Sequence, residues 1–346
     1  MLIHNIALKN REDRTIDELK YFRNLYYNNT EFSNKTDDEL NSILDDLRYV
    51  SKSRLGSIDF CSAQYRYAYL YRVESKGEMH SATFGKNIHR ILENLYDYLD
   101  IKKLMYLYEE ITKYIENTLI RLIPKIAFIQ NKPLNLIVKS YAEYENKRFQ
   151  SIREQVGINI ENIKKYFYHL YTELKLYNTK YHIRGIVDRI DLLPDGNVLI
   201  IDYKSGKPKD LKDKYGYKNV IEEMSFYKLL IEDDSTYFVE KNEDNFENGK
   251  VFKPLNVSYI QMLFLQNVND SLAIPTEMID ENIIRLKILD YFQKLNTNTF
   301  SFRYFKGDAR KVCMNMCPYF YKHCYKVNPF YNDVRKYDQE YNLNGE

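Results

Sequence analysis

Apolar positions along this chain recur with two periods, and the change comes near residue 170. Residues 10 to 50 carry apolar side chains at helical spacing between acidic turns, which predicts an N-terminal helical extension. Ser51-Lys52-Ser53-Arg54-Leu55 opens the next segment, with Ser53 as its helix cap. Tyr65, Tyr67, Tyr69 and Tyr71 alternate with period two and, on pattern alone, favour a strand. From Phe84 to about Leu122, Ile88, Ile91, Leu92 and Leu95 mark an amphipathic helix that Pro124 interrupts. Further helices are predicted from about Leu134 to Val156 and from Ile160 to Leu170. Strand character begins near Thr172, and Val257 to Val268 is a second strand region. Met224 to Ile231 and Glu277 to Leu295 read as helices, and the charged stretch 239 to 254 as a loop. Helices before and after a small sheet make the chain α/β, with a helical insertion at about 96–170.

The most informative stretch runs from His182 to Gly206. Two apolar, β-branched runs flank Pro194-Asp195-Gly196-Asn197, a strong hairpin signal. Asp202 and Lys204, two apart on one strand, project from the same face. Folding about Asp195 sets Asp188 almost opposite Asp202. Facing carboxylates are destabilising on a sheet, the more so among Ile186, Ile190, Val198 and Ile200. A divalent cation reverses that penalty, because magnesium and manganese take oxygen ligands. The competing explanation is a ribbon with solvated charges. It does not account for Ile200 and Ile201 running straight into Asp202.

Composition narrows the partners. Net charge is +2, so nucleic-acid binding has to come from local patches. Residues 1 to 50 hold seven Lys/Arg against ten Asp/Glu, a net of −3, which excludes a basic arm there. Residues 301 to 326 hold six Lys/Arg against one Asp, a net of +5, and include Arg310 and Lys311. The 34 tyrosines, the absence of tryptophan and the abundance of Asn, Lys and Ile point to an AT-rich genome more than to function. No apolar run approaches a membrane span, and the start is too soon charged for a secretory signal, so a cytoplasmic protein is expected.

The four cysteines are Cys61, Cys313, Cys317 and Cys324. Four thiolates at one point can hold an iron–sulfur cluster or zinc, and the spacing is not that of paired Cys-x-x-Cys zinc knuckles. Four unrelated core thiols are the plainer alternative.

The Gly-Ile-Val-Asp-Arg-Ile-Asp run and Ile-Ile-Asp-Tyr-Lys-Ser-Gly resemble the PD-(D/E)XK nucleases, in particular their RecB-like branch. Ser51-Lys52-Ser53-Arg54-Leu55 with Asp59-Phe60-Cys61 and the tyrosines that follow is similar to that family's opening helix, which implies a helix there in place of the strand that alternation alone favours. Phe84-Gly85-Lys86-Asn87-Ile88-His89-Arg90-Ile91-Leu92-Glu93 is similar to its Gly-x-x-x-His-x-x-x-Glu helix, and Glu173 to a glutamate on the strand before the hairpin. Glu223-Met224-Ser225-Phe226-Tyr227 is similar to its Gln-x-x-x-Tyr helix, with glutamate in place of glutamine, a departure that is unfavourable near a phosphate path. A lone upstream cysteine with a C-terminal triad is similar to the iron–sulfur staple of RecB-type nucleases. Here the triad is spaced by three and then six residues, and Ser62 stands where proline is usual.

The resemblance implies a restriction-endonuclease-like core at 51–326, after a helical extension at 1–50 and before a tail at 327–346. It implies a magnesium- or manganese-dependent DNase, with His89, Asp188, Asp202 and the Tyr203 carbonyl as metal ligands and Asp188, Asp202 and Lys204 as catalytic residues. Glu93, Glu173, Tyr227, Arg310 and Lys311 are expected to support the site or contact substrate. A [4Fe-4S] cluster on Cys61, Cys313, Cys317 and Cys324 is expected to be structural. The expected substrate is single-stranded DNA attacked at free ends, with a helicase or CRISPR adaptation complex as partner. Tyr319, Phe320, Tyr321 and Tyr325 are candidates for stacking on its bases, with packing around the cluster as the equal alternative. The alternatives are a non-catalytic binding subunit of such a complex, or a relative acting on RNA or on folded ends with the insertion at 96–170 as a specificity domain.

Overall fold

The computed structural model describes residues 2–28, 30–74, 80–107, 110–126, 132–206, 214–231, 236–239, 250–253, 255–302, 313–314 and 317–324. The chain divides into two compact units, Met1–Gly77 with Leu286–Glu346, and Glu78–Arg285.

The first unit begins with helices α1 (Ile3–Leu8), α2 (Ile16–Tyr26), α3 (Asp37–Leu47) and α4 (Lys52–Tyr65). Both α2 and α3 open with a capping box, Thr15 with Glu18 and Thr36 with Glu39, which satisfies amide protons that a helix start leaves unpaired. Buried Arg14 donates to the carbonyls of Ile6, Ala7 and Lys9 and to Asp45, tying α1 to α3. The cap of α4 is Ser51, whose hydroxyl accepts the Arg54 amide at 3.4 Å, and not Ser53, which bonds to the Ser51 hydroxyl instead. The alternating tyrosines are helical, as the resemblance to the family's opening helix implies, and form no strand. Tyr65 ends α4 and Arg66–Leu70 continues as a π-helical turn. Tertiary packing decides this, because Tyr65 is buried, stacks on Phe300 and shares a hydrogen bond with Tyr291.

Among the described residues, the second unit contributes seven strands to a mixed sheet between helical layers. Its strands are β1 (Tyr171–Asn178), β2 (Ile183–Leu192), β3 (Val198–Lys204), β4 (Thr236–Val239), β5 (Lys250–Val251), β6 (Val257–Phe264) and β7 (Leu272–Pro275). The order is β5-β4-β1-β2-β3-β6-β7, with β3 and β6 parallel and the other neighbours antiparallel. The predicted hairpin is present: β2 and β3 meet across a turn in which Gly196 has φ +86, a conformation glycine takes without steric cost. Short β4, β5 and β7 were not foreseen, since strands of two to four residues carry little periodic signal.

Helices α5 (His80–Leu95), α6 (Ile101–Tyr106), α7 (Ile111–Ile126) and α8 (Lys132–Val156) precede the sheet. The expected single helix from Phe84 is divided well before Pro124, because Asp100 caps a new helix at the amides of Lys102 and Lys103. Helix α7 runs two residues past position 124. The third helical stretch shortens to α9 (Ile160–Asn162) and a π-helical turn, Ile163–Phe167. Ile88, Leu92, Ile115, Leu119, Ile137 and Tyr141 form one core with Ile201, Tyr203, Leu263 and Leu265 of the sheet. The helical insertion thereby covers a sheet face that would otherwise stay wet. The opposite face takes α10 (Lys214–Ile231), which starts ten residues before the predicted helix. It packs where Gly185 leaves room: a Cβ there would lie 2.7 Å from Leu230 Cδ2 and 3.3 Å from Phe226 Cε1. Helix α11 (Asn282–Thr297) follows. Among the described residues, no helix is long and apolar enough to cross a membrane.

Candidate active site

Three elements of the second unit bring their polar side chains to one end of the hairpin. The β2–β3 ladder pairs Leu192 with Val198 through Arg189 with Ile201. One step further the pairing would set Asp188 against Asp202. There the ladder gives way, and Asp188 Oδ2 accepts the amide proton of Tyr203 at 2.7 Å. Asp188 and Asp202 are both buried, at 8% and 4% exposure, so their charges need compensation from inside the protein.

Glu173 comes from β1. Thr172 pairs with Arg189 and Leu174 with Val187, which places Glu173 across from Asp188. Its backbone has φ +46, in the left-handed region, where a residue with a side chain pays a steric cost. Such strain within a regular ladder marks a position held by its surroundings.

His89 arrives on α5. That helix runs close past the end of β3, since a Cβ on Gly85 would lie 3.3 Å from Ser205 Oγ. His89 Nδ1 stands 3.4 Å from Asp188 Oδ1 and 3.7 Å from Glu173 Oε1. Burial disfavours a charged imidazole, but these two carboxylates outweigh it and raise the His89 pKa to about 10. Among the described residues, His89, Glu173 and Asp188 are the group of three metal-capable side chains whose ligand atoms lie within 4.8 Å of one another.

Asp202 is engaged differently. Its Oδ1 accepts from the Tyr227 hydroxyl at 2.6 Å, and its Oδ2 is in ion contact with the Lys204 ammonium. Burial pushes its pKa up to about 6, with Asp188 and Glu223 adding to the rise and Lys204 opposing it. Lys204 also donates to Glu223 Oε1 at 3.0 Å. Although burial works against the ammonium, Asp202 and Glu223 hold the Lys204 pKa above its usual value.

A family model for the PD-(D/E)XK nuclease superfamily matches residues 49–320. The chain belongs to that superfamily. No curated protein matches it. The sheet and its flanking helices are the PD-(D/E)XK fold. Nucleases of this superfamily use divalent metal ions, and the donor set here fits such an ion: carboxylate oxygens of Glu173 and Asp188 with the His89 imidazole.

The other residues predicted from the sequence are placed unevenly. Tyr203 lies between Asp202 and Lys204, its amide on Asp188 and its hydroxyl 3.2 Å from that of Tyr141. Glu93 is half-buried one turn after His89. Arg310 and Lys311 lie outside the described residues, as does most of the basic stretch. Tyr319 and Phe320, candidates for base stacking, are buried at 6% and 2% exposure, and Tyr319 stacks on Tyr67. Tyr321 is exposed.

The cysteines belong to the first unit. Cys61 has extended backbone (φ −165, ψ 111) and breaks α4. Cys313 and Cys324 are buried, and Cys61 and Cys317 half-buried. Burial raises the Cys317 thiol pKa and neighbouring Cys61 adds to it, while the amides of Tyr319 and Phe320 bond to its sulfur and oppose the rise.

Two features of the site escaped sequence reasoning. Glu223 read as an unfavourable departure, yet it partners Lys204. Arg189, fully buried beside Asp188, is bidentate to Asp191 at 2.6 Å and bonds Glu145 at 2.7 Å and Tyr141 at 2.8 Å. Arg148 joins Glu145 at 3.0 Å, completing a buried network of two positive and two negative groups. A charge set between Val187 and Ile190 in an apolar strand was the available signal, since a buried guanidinium requires partners.

Proposed function

We propose that this protein is a magnesium- or manganese-dependent deoxyribonuclease of the RecB-like branch that degrades single-stranded DNA from free ends. The observation that carries the reading is the convergence of His89, Glu173 and Asp188 beside Asp202 and Lys204. In this reading His89, Asp188, Asp202 and the Tyr203 carbonyl hold the ion, with Glu173 beside them. A divalent cation bound there makes a water nucleophilic at neutral pH and offsets charge on the phosphate. Lys204, kept protonated between Asp202 and Glu223, orients the attacking water and stabilises developing negative charge instead of accepting a proton. Tyr227 fixes Asp202 through its hydroxyl.

The cysteines support a structural iron–sulfur cluster in the same reading. Cys61 lies near Cys317, and two amides are directed at the Cys317 sulfur, as suits a thiolate ligand. Among the described residues, no three of the sulfurs lie within 4.8 Å of one another, but a four-iron cluster sits between its ligands and does not require closer approach. The net charge of +5 over residues 301–326, with exposed Tyr321 among them, suits an unpaired strand better than a duplex.

The deciding experiment offers anaerobically purified protein a linear and a circular form of the same internally labelled single strand, with a duplex and an RNA alongside. Magnesium- or manganese-dependent loss of the linear strand, much slower loss of the circle, and inactivity of Asp188→Asn are expected. Equal rates on the two forms point to an endonuclease, and binding without cleavage points to an accessory subunit.

A further inference from the structure

Lys204 lies between two buried carboxylates. Its ammonium touches Asp202 Oδ2 and donates to Glu223 Oε1 at 3.0 Å, and the two acids are 4% and 5% exposed. The other Asp202 oxygen accepts from Tyr227 at 2.6 Å. Glu223 and Tyr227 are four residues apart on α10, so one face of that helix engages both Lys204 and Asp202.

An ammonium and a divalent cation seek the same lone pairs. A Lys204 whose charge was balanced by Asp202 alone would compete with any ion drawn to that oxygen. Glu223 provides a second counter-charge at hydrogen-bond distance in a buried setting, where charged hydrogen bonds are strong. Removing that carboxylate concentrates the ammonium on Asp202. Keeping it lets Lys204 stay in place, charged, when Asp202 turns an oxygen to metal.

We propose that Glu223 is a positioning residue: it gives Lys204 a second counter-charge, so that the ammonium can release Asp202 Oδ2 to a divalent cation while staying charged and in place. This rests on the metal-centre reading above. Manganese affinity, measured by titration calorimetry on the full chain without DNA, tests it apart from cleavage.

Glu223→Gln, nearly the same shape without the charge, should weaken manganese binding by about tenfold, the scale of one charge-assisted hydrogen bond. Glu223→Asp, which keeps the charge, should stay within about threefold of the parent. In a Lys204→Met background there is no ammonium to hold, and the further change Glu223→Gln should shift affinity by less than about twofold. An equal loss in both backgrounds would mean that Glu223 acts only by its own charge, and overturns the proposal. So would unchanged affinity in Glu223→Gln, or a loss in Glu223→Asp as large as in Glu223→Gln. Asp188→Asn serves as the control for the metal centre: undiminished manganese binding there refutes the centre itself, and the proposal with it. Thermal midpoints of all variants report whether each is folded.

Discussion

Asp188 accepts the amide proton of Tyr203 at 2.7 Å, and that bond marks where the hairpin ceases to be a ladder and becomes a site. A carboxylate there replaces the carbonyl that would continue the pairing. It holds the β3 backbone in place and leaves the second Asp188 oxygen turned toward His89. The residues on either side of Tyr203 are Asp202 and Lys204, so Asp188 positions both through the chain.

Lys204→Ala should abolish cleavage and also destabilise the metal-free protein. It strips the counter-charge from two buried acids, Asp202 and Glu223, a loss on the order of 3 kcal/mol. Manganese should restore part of the lost thermal midpoint. Asp202→Ala should be equally inactive but closer to parent stability, because Lys204 then retains Glu223. A Lys204→Ala protein with the parent rate would refute the assigned role.

Arg189→Met should cost about 3 to 5 kcal/mol, since it leaves Glu145 and Asp191 short of a buried partner. Chemical denaturation of the variant checks this. A loss below about 1 kcal/mol would show that Arg148 alone balances both acids.

Acid should unfold the second unit in two stages. His169 has its pKa lowered to about 4 by burial, with Arg189 adding. Below the ordinary 6.5 the unfolded chain binds this proton first, so stability falls as pH drops from about 6.5 to 4. Burial alone would raise the pKa of Glu145, but Arg148 and Arg189 hold it at about 2. Its contribution is present above the ordinary 4.5 and is lost between about 4.5 and 2. His169→Gln should flatten the upper stage of a plot of thermal midpoint against pH and leave the lower one. An unchanged upper slope would show that other groups dominate there.

Gly185→Ala should destabilise by about 1 to 3 kcal/mol, the usual cost of forcing a methyl into a filled core. Its Cβ meets Leu230 and Phe226 of α10, the helix that also carries Glu223 and Tyr227. Activity should therefore fall with stability, and Gly185→Val should be worse on both measures. Parent-like melting of Gly185→Ala would show that Leu230 moves aside freely.

Anaerobic protein should be brown and contain about four irons per chain, and Cys324→Ser should bleach it. Stoichiometric zinc with no iron would overturn the cluster.

The hairpin, its turn and the shared face of Asp202 and Lys204 were legible in the sequence, because period-two alternation and a Pro-Asp-Gly-Asn turn are local signals. So were the helical spans of α8 and α11 and the resemblance carried by short motifs. Local pattern failed where packing decides conformation: the tyrosines from Tyr65 to Tyr71 alternate like a strand, yet burial against Phe300 and Tyr291 holds them helical. It failed again at Glu223, whose partner Lys204 is 19 residues away, and at Arg189, whose partner Glu145 is 44 away. A charge in a sequence shows that compensation is needed. Which group supplies it depends on the close approach of a helix to a sheet, and distance in space is set only when the chain has folded.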